Sequence, residues 1–334
     1  MKFKRMITTV DSHTCGMPVR MVISGIPNIP GKTMVEKRDF VKDNLRFLRS
    51  LVYEPRGNSN MLVCILTPPC NDKAQFGLLF ISPAGFLNMC GHGIMGVSVI
   101  VVEMGIIEPI EPVTEIAIDT LAGIIKSKVY IQEGKCKSVA FQNVPSFLYK
   151  TENVITSTFG EIPVDISYGG QFYGIVEAEH LGLENLKMNK VNKIIEICME
   201  IKKSINNQIK IQHPTIPYMT KVNNVEICVK PENNNANVKT LVTSHYGRLD
   251  RSPCGTGTSA RMASLFSKGK LSLGEIYVTE SIIGSLFYGK LIKKVKVGDF
   301  TAVIPEISGT SFITGINQFI IDEDDPFKFG FEVK

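Results

Sequence analysis

A cysteine followed by Gly-x-Gly occurs twice in this chain, each time between a strand-rich stretch and a helical pattern. The copies are Cys90-Gly91-His92-Gly93 and Cys254-Gly255-Thr256-Gly257, separated by about half of the 334 residues. Such a distance is too long for a short tandem repeat. It suits two pseudo-equivalent domains, each contributing one cysteine to a shared cleft. The length agrees, since a chain this long exceeds one ordinary core and points to about two domains.

Hydrophobic spacing places the surrounding elements. Phe3 to Val10 reads as a strand, Asp11 to Thr14 as a polar turn and Val19 to Ser24 as a second strand. Lys32 to Leu51 has helical spacing, with Val35, Phe40, Leu45, Phe47, Leu48 and Leu51 largely on one side. Met61 to Thr67 and Ala74 to Ile81 read as paired strands. Gly91 to Met104 reads as a helix stopped by Gly105, and Gly255 to Lys268 as one stopped by Gly269. Between them lie strands at Glu115 to Ile118, Gly123 to Ile131, Ser138 to Gln142, Val225 to Val229 and Val238 to Val242. Leu183 to Ile205 is the longest helical pattern. The tail is strand-rich at Leu291 to Val297, Thr301 to Ile304 and Ser311 to Ile321.

Composition narrows the function classes. Hydrophobic residues are 44% and charged residues 21%, the balance of a soluble globular chain. The formal net charge of +5 comes from scattered lysines and arginines, so no nucleic-acid footprint is expected. The most apolar run, Ile94 to Met104, is too short to span a bilayer, and the N-terminus lacks the apolar stretch of a signal peptide. Eight cysteines without CxxC or regular close spacing argue against a disulfide framework, and the cytoplasm is the expected compartment.

A cysteine just before a helix faces unpaired backbone N–H groups and the positive end of the helix dipole. That setting is expected to lower a thiol pKa from about 8.5 toward neutrality. The glycines allow a tight turn and a close ligand approach, and the same N–H groups can hold a carboxylate. Each motif thus offers a tuned thiol and half an anion site. Cys64, Cys136, Cys198 and Cys228 read as small buried hydrophobes, while Cys15 and Cys70 lie in turns with no assigned role. Neither motif has zinc-ligand spacing, and no metal site is expected. A Cys–His hydrolase would use one thiol and leave the second motif idle. A catalytically silent binding protein is the remaining alternative.

Asn88-Met89-Cys90-Gly91-His92-Gly93 and Asp250-Arg251-Ser252-Pro253-Cys254-Gly255-Thr256-Gly257-Thr258-Ser259-Ala260 resemble the two signatures of the proline racemase family. Asp11-Ser12-His13-Thr14, Glu54-Pro55-Arg56-Gly57, Asn143-Val144-Pro145-Ser146-Phe147, Gln212-His213-Pro214 and Ile313-Thr314-Gly315 extend the resemblance over nearly the whole chain. It implies a mixed α/β, diaminopimelate-epimerase-like fold, with strands wrapped around a central helix in each of two pseudo-symmetric domains. The first domain is expected over 1–122, carrying Cys90 and completed by strands from 305–334. The second, over 123–304, carries Cys254. The substrate would lie in the cleft between them, in a homodimer.

The resemblance also implies the chemistry, inversion at the α-carbon of proline or hydroxyproline. One thiolate removes the α-proton while the other thiol protonates the opposite face, without pyridoxal phosphate or any other cofactor. N–H groups around Gly91, His92, Gly255 and Thr256 would hold the carboxylate, and Asp250 and His92 would contact the amine.

Two positions that carry phenylalanine in proline racemases correspond to Leu62 and Ser244, with His245 beside the latter. A roomier pocket bearing a hydroxyl favours 4-hydroxyproline 2-epimerase, with proline racemase proper as the alternative. Met17 and Asn58 stand where relatives often have Glu and His, which bears on substrate choice. A 3-hydroxyproline dehydratase usually lacks one of the two thiols, and this chain has both.

Overall fold

A computed structural model of the chain describes residues 5–183, 191–243 and 247–333. Two compact units emerge, Met1–Phe141 together with Gly309–Lys334, and Gln142–Ser308. Up to the end of the first segment the strands are β1 (Arg5–Thr14), β2 (Met17–Ser24), β3 (Leu62–Thr67), β4 (Phe76–Ser82), β5 (Gly85–Leu87), β6 (Val113–Thr120), β7 (Gly123–Gln132) and β8 (Lys135–Gln142). The second unit holds β9 (Phe147–Thr156), β10 (Gly160–Tyr168), β11 (Phe172–Glu177), β12 (Asn224–Val229), β13 (Val238–Thr243), β14 (Ile276–Glu280), β15 (Leu286–Val297) and β16 (Phe300–Gly309). The last strand, β17 (Ser311–Ile321), returns to the first unit. Helices are α1 (Met34–Asn44), α2 (Gly91–Glu103), α3 (Val191–Gln208) and α4 (Gly255–Ser267).

The units repeat one topology. In the first, β17, β1, β2, β3, β4, β6, β7 and β8 are joined in that order. Every pairing is antiparallel except β2 with β3 and β4 with β6. In the second, β9 to β16 are joined in sequence, antiparallel except β11 with β12 and β13 with β14. Each parallel step needs a crossover. α1 lies between β2 and β3 and α3 between β11 and β12, while α2 and α4 occupy the second crossovers.

The helices behave as their sequences dictate. α2 is apolar on all sides, from Ile94 and Met95 to Val102, and packs against β1, β2, β3, β7 and β17. A helix without a polar face belongs at the centre of a unit. α4 packs against β9, β10, β11 and β15. α3 instead buries one stripe, Ile194, Ile197, Cys198, Ile201 and Ile205, and leaves its other face polar. Thr33 caps α1 by accepting from the Glu36 N–H at 3.2 Å, and the Glu36 carboxylate accepts from the Lys32 N–H at 2.8 Å.

Several expectations need correction. Asp11 to Thr14 is the end of β1, not a turn; the reversal comes at Cys15 and Gly16. Its polar side chains are taken up by tertiary bonds, as when Arg20 grips the Asp11 carboxylate. The helical pattern from Lys32 breaks after Asn44 and continues as a 3-10 turn, Arg46–Leu51. The pattern from Leu183 is helical from Val191, residues 184–190 lying outside the described ones. β7 and β8 belong with the first unit, so its first segment runs past residue 122 to Phe141. Among the described residues no helix is long and apolar enough to cross a membrane.

Candidate active site

The two helix starts are equivalent places in the repeated topology, and each is capped by a cysteine. Cys90 is extended, with φ −146° and ψ 115°, and its carbonyl accepts from the Ile94 N–H at 2.9 Å. Cys254 has φ 64° and ψ 100°, and its carbonyl accepts from the Thr258 N–H at 2.8 Å. A positive φ is costly for a residue with a Cβ, and such strain persists only where neighbours over-determine it. Here they do. The Asp250 N–H donates to the Val242 carbonyl at 2.8 Å. The Ser252 N–H and hydroxyl both donate to Asp250 Oδ1 at 2.9 Å, and the Cys254 N–H donates to Ser252 Oγ at 3.2 Å.

The first thiol has an imidazole for a neighbour. Cys90 Sγ lies 3.3 Å from His92 Nδ1, and the His92 carbonyl accepts from the Thr14 hydroxyl at 2.9 Å. Loss of hydration holds the His92 pKa down to about 4, so the ring is neutral at pH 7. A neutral ring can hydrogen-bond the thiol, but the thiolate–imidazolium pair of a Cys–His hydrolase is disfavoured.

The second thiol is more enclosed. Cys254 is 8% exposed, with its Sγ 3.3 Å from the Tyr173 hydroxyl and 3.7 Å from Thr256 Oγ1. Tyr173 and Thr256 share a 2.6 Å hydrogen bond. Helix position alone suggests a lowered pKa, and the structure overturns this for Cys254. Burial pushes the thiol well up, and the Asp250 carboxylate raises it further. Desolvation of a thiolate outweighs the dipole of one helix turn. Burial lifts the pKa of the Asp250 carboxyl itself to about 6, leaving it mostly charged at pH 7.

The second glycine of each motif is required by close approach. A Cβ on Gly93 would lie 2.5 Å from Leu62 Cδ2 and 3.0 Å from the Phe80 ring. One on Gly257 would lie 2.5 Å from Glu226 Oε2 and 3.3 Å from Cys254 Sγ. Leu62 is therefore buried against the first turn of α2, among apolar atoms. Ser244 and His245 lie outside the described residues. Within the units, Cys90, Gly91, His92 and Leu62 gather at the start of α2, and Asp250, Cys254, Gly255 and Thr256 at the start of α4. Tyr173 and Glu226 were invisible to motif reasoning; a lone carboxylate inside the apolar run Val225–Val229 was the only signal.

Comparison with known proteins places the chain in a family. The sequence pattern of the proline racemase family matches residues 9–332. Proline racemase of Clostridioides difficile is 45% identical, with 100% of each chain covered. The 4-hydroxyproline 2-epimerase of Streptosporangium roseum is 40% identical over 99% of each chain. Among solved structures, a hydroxyproline epimerase from Agrobacterium vitis with bound trans-4-OH-L-proline superposes with a TM-score of 0.87. It is 35% identical, and the match covers 100% of this chain and 97% of that one. With its mixed α/β units and both cysteine motifs inside the matched span, this chain belongs to the proline racemase family of racemases and epimerases.

Proposed function

We propose that the protein racemises free proline, with Cys90 and Cys254 as the two acid/base groups. The observation that carries this reading is the same device built twice, a thiol capping a central helix in each of two topologically repeated units. Inversion needs one group to take the α-proton and another to return a proton to the opposite face. Thiolate at one cap and thiol at the other supply both, and the reverse reaction exchanges their roles. The α-C–H is a very weak acid, so the carbanion-like species needs fixed dipoles around the carboxylate. First-turn N–H groups at Gly91, His92, Gly255 and Thr256 serve that purpose. Asp250, largely charged at pH 7, suits a cationic ring nitrogen, and His92 offers it a neutral partner. The thiols move protons without a cofactor.

Proline is preferred over 4-hydroxyproline for two reasons. Leu62 keeps an apolar environment, and curated relatives at 45% identity carry the proline racemase name. This reverses the lean toward the epimerase drawn from Leu62 and Ser244 in the sequence. The second reading, 4-hydroxyproline epimerisation, draws support from the Agrobacterium vitis structure. Chiral chromatography of turnover with L-proline and with trans-4-hydroxy-L-proline separates the two. A buried wall without a polar partner disfavours a substrate hydroxyl by about 1–3 kcal/mol, so kcat/KM for L-proline should be at least about fivefold higher. A ratio below one would install the epimerase reading. No exchange of the α-proton with deuterium for either substrate would sink both.

A further inference from the structure

Beyond their immediate neighbours, the two thiol sites differ in a buried group on equivalent strands. Strands β3 and β12 are equivalents in the two units, with sequences LVCILT and NVEICV. Each is joined in parallel to the strand before it, Val19 opposite Leu62 and Tyr173 opposite Asn224. The third residue of each is fully buried; it is Cys64 in the first unit and Glu226 in the second. Burial holds Cys64 well above the usual thiol range, so this position is uncharged there.

Glu226 sits behind the second thiol. Its Oε2 and the Cys254 Sγ flank the same point, the one a Cβ on Gly257 would occupy, at 2.5 and 3.3 Å. Glu226 is 0% exposed and its Oε2 has no hydrogen-bond partner. Its Oε1 accepts only a long bond from Cys228 Sγ at 3.8 Å. The facing groups come from every neighbouring element. Tyr173 and Glu177 belong to β11, Cys228 to β12 itself and Tyr277 to β14, with Arg261 on α4; Asp250, on the loop before α4, faces Cys254. Arg261 is the cation; it pairs with Glu177 at 2.5 Å and interacts electrostatically with Tyr277. A carboxylate left unpartnered in a buried strand costs stability, so its position calls for a role.

We propose that Glu226 is a positioning residue for the reaction, one that holds the Cys254 thiol in its protonated form and so makes the two acid/base thiols unequal. Burial and then the Asp250 carboxylate raise the Cys254 thiol; charge on Glu226 adds to them across Gly257, and the first unit has no such group at Cys64. The resting enzyme then keeps its proton on Cys254. This rests on the reading of Cys254 as an acid/base group, and its test reads ionisation, not turnover.

The test is alkylation of Cys254 by iodoacetamide, quantified on its peptide by mass spectrometry from about pH 5.5 to about pH 9. Burial places the Glu226 carboxyl at about 7, so it is mostly neutral at the low end and charged at the high end. Glu226→Gln keeps the shape and removes the charge. Above pH 8 its Cys254 should react about tenfold faster than wild type, and near pH 5.5 at the wild-type rate. Glu226→Asp, which keeps the charge, should stay close to wild type across the range. A Gln variant whose profile superimposes on wild type overturns the proposal. Should that variant fail to fold, the profile is taken on Asp250→Asn, where Glu226 supplies the remaining bend; unit slope through pH 7 then overturns it. A null result with normal, Cys254-dependent racemisation sinks this inference alone. A shifted titration in an enzyme whose turnover ignores Cys254 sinks the functional reading alone.

Discussion

Cys90→Ser and Cys254→Ser are each expected to reduce racemisation to below about one part in a thousand of wild type. A serine hydroxyl is several pKa units less acidic than a thiol, and each unit withheld from a proton-transfer group is worth about 1.4 kcal/mol. The loss should be equal in both directions of the reaction, because each thiol serves as base in one and acid in the other. Polarimetry on the purified variants reads it directly, with circular dichroism to show that the fold is kept. If either variant retains more than a few per cent of activity, the two-thiol mechanism is wrong. A hydrolase built on one cysteine would show the opposite pattern, with one variant dead and the other untouched.

The second large effect is on stability and concerns Arg20. The residue is 6% exposed. It donates to both oxygens of Asp11 at 2.8 to 3.1 Å, to the Leu51 carbonyl at 2.9 Å and to the Arg56 carbonyl. It also lies 4.2 Å from the centroid of the Phe319 ring. One side chain therefore ties β1, β2, β17 and the segment after α1 together within the first unit. Arg20→Ala leaves the Asp11 carboxylate without its cation, with the Thr9 hydroxyl as its remaining side-chain donor, and takes the guanidinium donor from two carbonyls; breaking a buried pair from one side costs about 3–5 kcal/mol. Urea unfolding followed by circular dichroism should show a loss of that size. Arg20→Lys keeps the charge but not the planar fork, and should recover less than half of it. A loss under about 1 kcal/mol for Arg20→Ala would mean the network is dispensable.

This network also shows what the sequence could and could not disclose. Asp11 and Arg56 stand in segments that resemble family motifs, yet nothing local says that one arginine joins them; that contact exists only after β1 and β2 pair. The same blindness made Asp11 to Thr14 read as a turn, because polar residues in a strand are satisfied by partners distant in sequence. α2 and α4 were legible because their signals are local, an apolar run closed by Gly105 or Gly269 at positive φ. β9, β10 and β11 went unread, since Pro163 and the polar residues of Phe147–Thr156 mask their alternation. At the site the cysteines were found from their glycines, but the raised Cys254 pKa was not, because burial is a property of the packed unit. Glu226 was hidden for the same reason.

The return of β17 to the first unit has a consequence for how the protein is made. The second unit is one uninterrupted segment, Gln142–Ser308, and it is complete as soon as that segment leaves the ribosome. The unit holding Cys90 begins earlier but must wait, since β1 pairs along its whole length with β17, from Arg5 opposite Ile321 to Thr14 opposite Ser311. Until then one edge of β1 stays open, an invitation to strand pairing with other nascent chains. Closing a loop that long adds little to the equilibrium cost but slows the search. The thiol encoded first is thus the one whose unit matures last, and synthesis halted after Ser308 would leave a finished second unit attached to an unfinished first.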